Sequence, residues 1–147
     1  MSNINIAQLL NQYVADTAVF LIKLHNIHWN IVGDEFMKMH KYTEDLYNHY
    51  FETYDSFAEV LKIKGEKVYG AMKDYLKVAT IHELGTDDLY VKEALNMIAD
   101  DLEMLRRTSI MLRDIAHTIG DITCTLLAED EIQFLDKELW FIRSMLK

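Results

Sequence analysis

The sequence predicts an all-α protein, and three of its features support that fold class. Half of the 147 residues are hydrophobic, which is enough apolar material for a sizeable core in one domain. Proline is absent and only five glycines occur, as expected for long helices rather than for a sheet with many tight turns. Apolar residues also recur at steps of three and four along most of the chain, the spacing of amphipathic helices. We therefore predict a single helical domain over residues 1–147.

Two long helices joined by a short turn are predicted in the first half of the chain. The first covers residues 4–31 and ends before Gly33, a residue suited to a helix C-terminus. Asp34 is a suitable N-cap for the second helix, which continues to Lys64 and stops at Gly65. A connection of only a few residues predicts that these two helices pack antiparallel.

The second half of the chain contains a long connection and two further long helices. A short helix is predicted at residues 71–79, because a bare connection of this length would be unusual in a compact domain. Thr86, followed by two aspartates, has the features of an N-cap for a third long helix that ends near Gly120. The fourth long helix runs from Asp121 to Leu146. This order predicts a bundle with a crossover between its second and third helices, although periodicity alone leaves other bundles open.

Charge and cysteine content narrow the class of protein. The net charge of -9 at pH 7 argues against a general surface for nucleic acid, because such binding depends largely on Lys and Arg. The single cysteine, Cys124, excludes an internal disulfide, and the first residues lack the pattern of a signal peptide. No apolar run approaches the roughly 20 residues that cross a bilayer. These features predict a soluble cytoplasmic protein with no membrane partner and a buried, inert Cys124.

Four side chains that can bind metal share one side of the second predicted helix. With His40 as the zero of a helical wheel, Glu44 lies at about 40°. Asp55 and Glu59 follow at about 60° and about 100°. Asp55 nevertheless lies about 22 Å from His40 along the helix axis, whereas a metal–ligand bond is about 2 Å long. One copy of this helix therefore cannot bring both ends to one ion.

A two-fold axis between two antiparallel copies of this helix removes the difficulty. An axis near the middle of the helix places His40 opposite Glu59 of the second copy, and Glu44 then faces Asp55. His28, near the end of the first helix, can add an imidazole beside His40. Mixed nitrogen and oxygen ligands suit Fe(II), Zn(II) or Mn(II) better than calcium or copper. The alternative is a solvated helix face whose symmetry is chance, and the spacing alone leaves both explanations open.

The motif around these residues resembles the Dps (DNA-binding protein from starved cells) family of mini-ferritins. The matching residues are His28, Trp29, Gly33, His40, Glu44, Asp55 and Glu59, together with 136-DKELWFI-142. The resemblance implies a ferritin-like four-helix bundle with a short extra helix in the crossover. It also implies a homo-dodecamer with ferroxidase centres at two-fold interfaces, in which two histidines of one subunit meet Asp55 and Glu59 of its neighbour.

The resemblance further implies a reaction in which Fe(II) is oxidised, preferably by hydrogen peroxide, and stored as Fe(III) mineral inside the cage. Peroxide accepts two electrons and each Fe(II) donates one, so two ions consumed together release no one-electron radical. Such a protein protects against oxidative stress, and Zn or Mn can substitute for iron at the centre. The alternative function is a DNA-compacting nucleoid protein of the same fold, although the negative charge argues against direct DNA binding.

Acidic residues near the start of the fourth long helix form a second candidate site. Asp121, Glu129 and Asp130 occur where the family resemblance implies pores for iron entry, whereas Leu126 occupies the position of the middle pore acid. A solvated helix start is the alternative explanation for these acids. The histidines without a carboxylate at ligand spacing are predicted to be structural: His25, His49, His82 and His117.

Overall fold

The computed structural model describes residues 5–147 and contains five α-helices in this part of the chain. Their bounds are α1 Ile6–Asn30, α2 Phe36–Ile63, α3 Met72–Val78, α4 Val91–Thr118 and α5 Ile122–Met145. The long helices form a bundle in which α1 packs against α2 and α4 against α5, while α3 lies on α1 within the crossover. The predicted all-α bundle with a short crossover helix is thereby confirmed. None of the helices in residues 5–147 is long and apolar enough to cross a membrane.

Apolar stripes of the predicted helices fill the interior of the bundle. The rings of Tyr13 and Phe57 have centroids 4.4 Å apart, and Phe20 meets Tyr50 edge to face at 5.1 Å. Such aromatic pairs contribute about 1 kcal/mol each beyond the burial of their area. Residues that advance along α1 meet residues that recede along α2, so these helices run antiparallel, as predicted. The sequence predicts that α1 begins at Ile4, and this residue lies outside the described residues.

The turn between α4 and α5 follows the local signals in the sequence. Gly120 has a φ of +74°, a backbone conformation that favours glycine. The N–H of Asp121 then donates to the carbonyl of Ala116 at 2.9 Å, which closes the end of α4. The Asp121 carboxylate accepts the N–H of Cys124 at 3.1 Å and caps α5. Cys124 itself is buried, as predicted.

The predicted start of α4 at Thr86 is wrong, because the helix begins at Val91. Residues 86–90 are not helical, and the main chain of Leu89 pairs with the end of α1. The Leu89 N–H donates to the Asn30 carbonyl at 2.9 Å, and the Val32 N–H donates to the Leu89 carbonyl at 2.9 Å. Main-chain groups committed to this pairing are not available for a first helical turn.

The prediction that Asp34 caps α2 is also wrong. Glu35 occupies the N-cap position, and its side chain makes no capping hydrogen bond. Gly33 has a φ of +111°, and its carbonyl accepts the N–H of Phe36 at 3.1 Å. A tight turn closed by main-chain groups therefore replaces the side-chain cap.

Side chains of α1 tie the crossover to the bundle. Asn11 donates to the carbonyl of Lys67 at 2.9 Å and accepts the N–H of Tyr69 at 3.0 Å. Asp16 and Asn26 make further hydrogen bonds to the main chain near the end of the crossover. These bonds supply partners to a segment that has little regular structure of its own.

Candidate metal centre

His28 and His40 lie together where α1 and α2 approach their common turn. Their rings stack with centroids 3.6 Å apart and 16° between the planes. The Nδ1 atom of His28 lies 2.7 Å from the carbonyl oxygen of His40, and Nδ1 of His40 lies 2.9 Å from that of His28. A carbonyl only accepts hydrogen bonds, so each Nδ1 carries a proton and donates it. In the neutral imidazole, each Nε2 therefore keeps the lone pair that a metal ligand requires.

Thr43 gives His28 a second hydrogen-bond partner. The Thr43 hydroxyl donates to the carbonyl of Met39 at 2.7 Å and lies 3.0 Å from His28 Nδ1. Because a hydroxyl has only one hydrogen to donate, it accepts from His28. His28 is 6% exposed, and its burial, together with the neighbouring His40, lowers its pKa. The ring therefore remains neutral to a lower pH than an ordinary histidine.

Aromatic side chains surround the histidine pair. Phe36 stacks against His40 with centroids 5.0 Å apart, and Tyr47 packs edge to face against His28 at 5.2 Å. Tyr47 in turn stacks on His25 at 3.9 Å, which gives that histidine a packing role. The sequence analysis missed Tyr47 and Thr43. Both follow His40 along α2 at helical spacing, so the shared face was the available signal.

Asp55 and Glu59 form a separate pair of carboxylates on the exposed side of α2. A proton shared with Asp55, together with the negative charge of Asp55, raises the pKa of Glu59. Two carboxylates this close repel each other unless a proton or a cation compensates one of the charges. Fifteen residues of helix separate Asp55 from His40, a rise of about 22 Å. Within residues 5–147, no three His, Cys, Asp or Glu side chains form a group that could hold a metal ion.

Glu44 lies one helical turn beyond His40, and its carboxylate makes only a weak ion pair, with Lys41. Lys41 Nζ lies 3.7 Å from a Glu44 carboxylate oxygen, but only 2.7 Å from Asp45. The Glu44 side chain is also exposed. Its carboxylate is therefore close to the histidines in sequence and not committed to a strong ion pair.

Two of the three predicted pore residues are engaged in ion pairs. Lys64 Nζ lies 2.6 Å from Asp121, and Arg113 Nε lies 3.1 Å from Glu129. Partial burial acts to raise the pKa of Asp121, but the hydrogen bonds from Lys64 and the Cys124 N–H outweigh it and lower that pKa. These bonds give Asp121 a structural role at the turn between α4 and α5.

A polar cluster between α2 and α5 was not predicted from the sequence. The Glu131 side chain is 3% exposed and accepts the Tyr13 hydroxyl at 2.5 Å. Its other oxygen lies 2.9 Å from His49 Nε2, so His49 has a partner within the fold, as a structural role requires. The third predicted pore residue, Asp130, is exposed and lines the adjacent cavity of about 160 Å³.

Known protein sequences resemble this chain along nearly its whole length. The family model of the ferritin-like domain matches residues 7–147. Antigen TpF1 of Treponema pallidum (strain Nichols) is 32% identical over 142 residues, which cover 97% of this chain and 80% of the relative. The DNA protection during starvation protein of Helicobacter pylori (strain J99) is 27% identical over 139 residues, with 95% and 96% of the two chains covered.

Solved structures also share the fold of this chain. The crystal structure of antigen TpF1 from Treponema pallidum has a TM-score of 0.95 and 32% identity, and the match covers 97% of this chain and 91% of that one. The Dps protein from Vibrio cholerae O1, described as a member of a broad superfamily of ferritin-like diiron-carboxylate proteins, has a TM-score of 0.93 and 27% identity. That match covers 97% of this chain and 89% of the other.

Proposed function

Because this chain belongs to the Dps family of mini-ferritins, within the ferritin-like domain family, we propose that it oxidises Fe(II) with hydrogen peroxide and stores the Fe(III) mineral. Twelve subunits would enclose the mineral in a cage built from two-fold pairs. Iron is both substrate and cargo, and Zn(II) or Mn(II) can occupy the same ligands. Consumption of Fe(II) together with peroxide would protect a cell against oxidative stress.

One observation carries this proposal: the fold orients two imidazoles so that each Nδ1 donates to a main-chain carbonyl and each Nε2 is left to bind a metal. His28 and His40 each donate their Nδ1 proton to a main-chain carbonyl. This second-sphere bonding is the arrangement found around histidines that bind metal. Such bonding fixes the tautomer before a metal arrives and leaves only the Nε2 atoms to bind it.

The remaining ligands are proposed to come from a second subunit. Two copies of α2 related by a two-fold axis near its middle would set Asp55 and Glu59 of one beside the histidines of the other. The two negative charges would compensate the positive charge of bound iron, and carboxylate oxygens suit the Fe(III) product as well as Fe(II). Glu44, one turn from His40, is proposed as an additional ligand at the same centre.

The stoichiometry of the proposed reaction follows from electron counting. Two Fe(II) ions lose one electron each, and one hydrogen peroxide takes up both electrons with two protons to give two waters. A centre that consumes two ions per peroxide leaves no hydroxyl radical. The role of the chain is to bind the ions close together, with ligands that do not have to be reoriented during the reaction.

Entry of iron through an acidic pore remains a prediction for Asp121, Glu129 and Asp130. The first two are paired with Lys64 and Arg113, so an incoming cation would have to compete with an existing ion pair. Asp130 is exposed, so we expect its replacement to slow iron uptake the most.

An anaerobic titration tests the ferroxidase proposal. Apo-protein is loaded with Fe(II), hydrogen peroxide is added in limiting amount, and the Fe(II) consumed per peroxide is measured. We expect a ratio near two. In a His40→Ala, Asp55→Ala variant the rate of Fe(II) oxidation should fall by at least about 100-fold, since metal ligands dominate such catalysis. His117→Ala is the matched control, because it removes an exposed imidazole at the far end of α4. Equal rates in the wild type and the double variant would contradict the proposal.

The alternative of DNA compaction has a separate test. The name of the Helicobacter pylori relative refers to DNA protection, but this chain has a net charge of -9 at pH 7. We expect no gel shift of duplex DNA at physiological salt, because binding to DNA relies on Lys and Arg contacts to phosphates. Tight binding that weakens steeply with added salt would establish the DNA function instead.

A further inference from the structure

The crossover between α2 and α4 depends on side chains of α1 for its position. Its one helix, α3, has seven residues and packs on α1. Asn11 bonds the main chain near the start of the crossover. Asn26 donates to the carbonyls of Leu84 and Gly85 near its end, at 3.3 and 3.0 Å. Between these two ties lies Asp16, which makes the shortest bonds of the three.

Asp16 holds the segment that directly follows α3. One carboxylate oxygen accepts the N–H groups of Thr80 and Ile81 at 2.5 and 2.9 Å, and the other accepts the Thr80 hydroxyl at 2.8 Å. The Asp16 side chain is 1% exposed, and a carboxylate buried to that degree is costly unless donors surround it. The three donors from two consecutive residues offset part of that cost and fix the chain two residues beyond Val78, the end of α3.

The position of α3 matters because α3 carries exposed apolar side chains and is bonded to α2 at Tyr54. Met72 and Leu76 are exposed and line a narrow apolar groove between α3 and α1. The hydroxyl of Tyr75 lies 2.8 Å from that of Tyr54, the residue before Asp55 on α2. This bond ties α3 to the turn of α2 that carries Asp55.

We propose that Asp16 is a positioning residue for the intersubunit centre, because it holds α3 where its apolar surface can pack against a second copy of this chain. The inference rests on the proposed function, which requires a second copy on the side of α2 that bears Asp55. In the proposed pair, the same copy would also cover the apolar surface of α3, which is bonded to α2 beside Asp55. Loss of the Asp16 carboxylate leaves two main-chain N–H groups without an acceptor, so the crossover opens locally while the four long helices remain folded.

Two substitutions of Asp16 in the full-length, iron-free protein test this role. In Asp16→Ala we expect amide hydrogen exchange at residues 72–82 to rise about tenfold or more, with α4 and α5 unchanged, because a charged acceptor is lost. Sedimentation should show subunit association weakened by about tenfold. Asp16→Asn keeps one acceptor oxygen and should bring both values to within about threefold of the wild type. Asp100→Ala, which removes an exposed carboxylate from α4, is the matched control.

Each outcome decides the inference. Unchanged exchange in Asp16→Ala overturns the claim that Asp16 holds the crossover, and faster exchange with unchanged association overturns its role in subunit pairing. If Asp16→Ala does not fold, Thr80→Val removes only the hydroxyl bond, and exchange confined to the crossover should rise about threefold; no rise overturns the inference. A protein that associates as expected but does not oxidise Fe(II) would refute the proposed function and leave the effect of Asp16 on association intact.

Discussion

The histidine half of the candidate centre is held by the fold of a single subunit, whereas the carboxylate half is held by little besides its own helix. His28 and His40 stack between α1 and α2, and each donates its Nδ1 proton to a main-chain carbonyl. Asp55 and Glu59 lie exposed on α2 with their negative charges close together. One half is thus organised within a single chain, and in the proposed centre the other half would be completed by a cation and a second subunit. The binding energy of the metal would then also help to hold two chains together.

The largest effect is expected when two inactive chains are mixed. One carries His28→Ala and His40→Ala, the other Asp55→Ala and Glu59→Ala, and neither alone has a complete centre. If each centre takes histidines from one chain and carboxylates from the other, a mixed pair contains one intact centre and one empty one. We expect dissociated and reassembled mixtures to recover roughly a quarter of the wild-type rate of Fe(II) oxidation, since half of random pairs are mixed.

A matched mixture sharpens this experiment. His28→Ala, His40→Ala chains reassembled with chains that carry His28→Ala alone should remain inactive, because no pair then contains an intact set of histidines. Recovery in this control would show that His28 is not required. No recovery in the main mixture, with normal assembly of both variants, would contradict a centre shared between two chains.

The next largest effect is expected when the hydrogen bond between Thr43 and His28 is removed. Thr43→Val keeps the shape of the side chain and removes the acceptor next to His28 Nδ1. We expect Co(II) or Zn(II) to bind about tenfold more weakly to the assembled protein, because second-sphere partners of histidine ligands contribute to this extent. Competition titration against a chelator measures the change. Thr118→Val, whose hydroxyl bonds only the Asp114 carbonyl on the exposed end of α4, should leave the affinity unchanged.

A carboxylate that the fold does brace should behave differently from Asp55 and Glu59. Asp121 caps α5 and pairs with Lys64, and these bonds lower its pKa. Asp121→Ala should reduce the free energy of unfolding by about 1–2 kcal/mol at pH 7. A depressed pKa contributes stability above the unfolded value and loses it as the pH falls through the folded value. The difference from the wild type in denaturant unfolding should therefore shrink below about pH 4, and a difference that persists there would contradict this assignment.

The smallest expected effect completes the comparison. Glu59→Gln removes one of two neighbouring negative charges at a position where a hydrogen bond with Asp55, and then the charge of Asp55, raise the pKa of Glu59. The metal-free variant should unfold at the same or a slightly higher denaturant concentration than the wild type, because the Gln amide can still donate a hydrogen bond to Asp55 while the charge repulsion is removed. Metal binding should weaken markedly in the same variant. A clear loss of stability without metal would mean that Glu59 has a structural partner of its own.

Local signals explain which parts of the fold were predictable. The presence and order of the helices follow from apolar periodicity, and the start of α5 follows from Gly120 and the Asp121 cap. The starts of α2 and α4 do not follow from such signals. Leu89 pairs with Asn30 and Val32, residues far from it in the sequence, and this pairing replaces the helix that the Thr86 region favours locally.

The candidate centre was predictable to a similar extent. Its histidines lie near the ends of two adjacent antiparallel helices, so their contact could be expected, and the helical rise showed that Asp55 could not join them within one chain. The bracing by Thr43 depends on a side-chain rotamer, which periodicity does not define. The bond from Tyr13 to Glu131 joins helices at opposite ends of the chain and required the structure. The pairing of histidines and carboxylates across subunits remains a prediction.

The reciprocal bonding of the histidines also bears on how this centre can change during evolution. Each ring is oriented by the main-chain carbonyl of the other residue, not by the other ring. Replacement of His40 by a different side chain therefore leaves the acceptor for His28 in place, and the converse holds for His28. A descendant can exchange one of the two ligands, and with it the preferred metal, while the remaining imidazole keeps its tautomer and its direction.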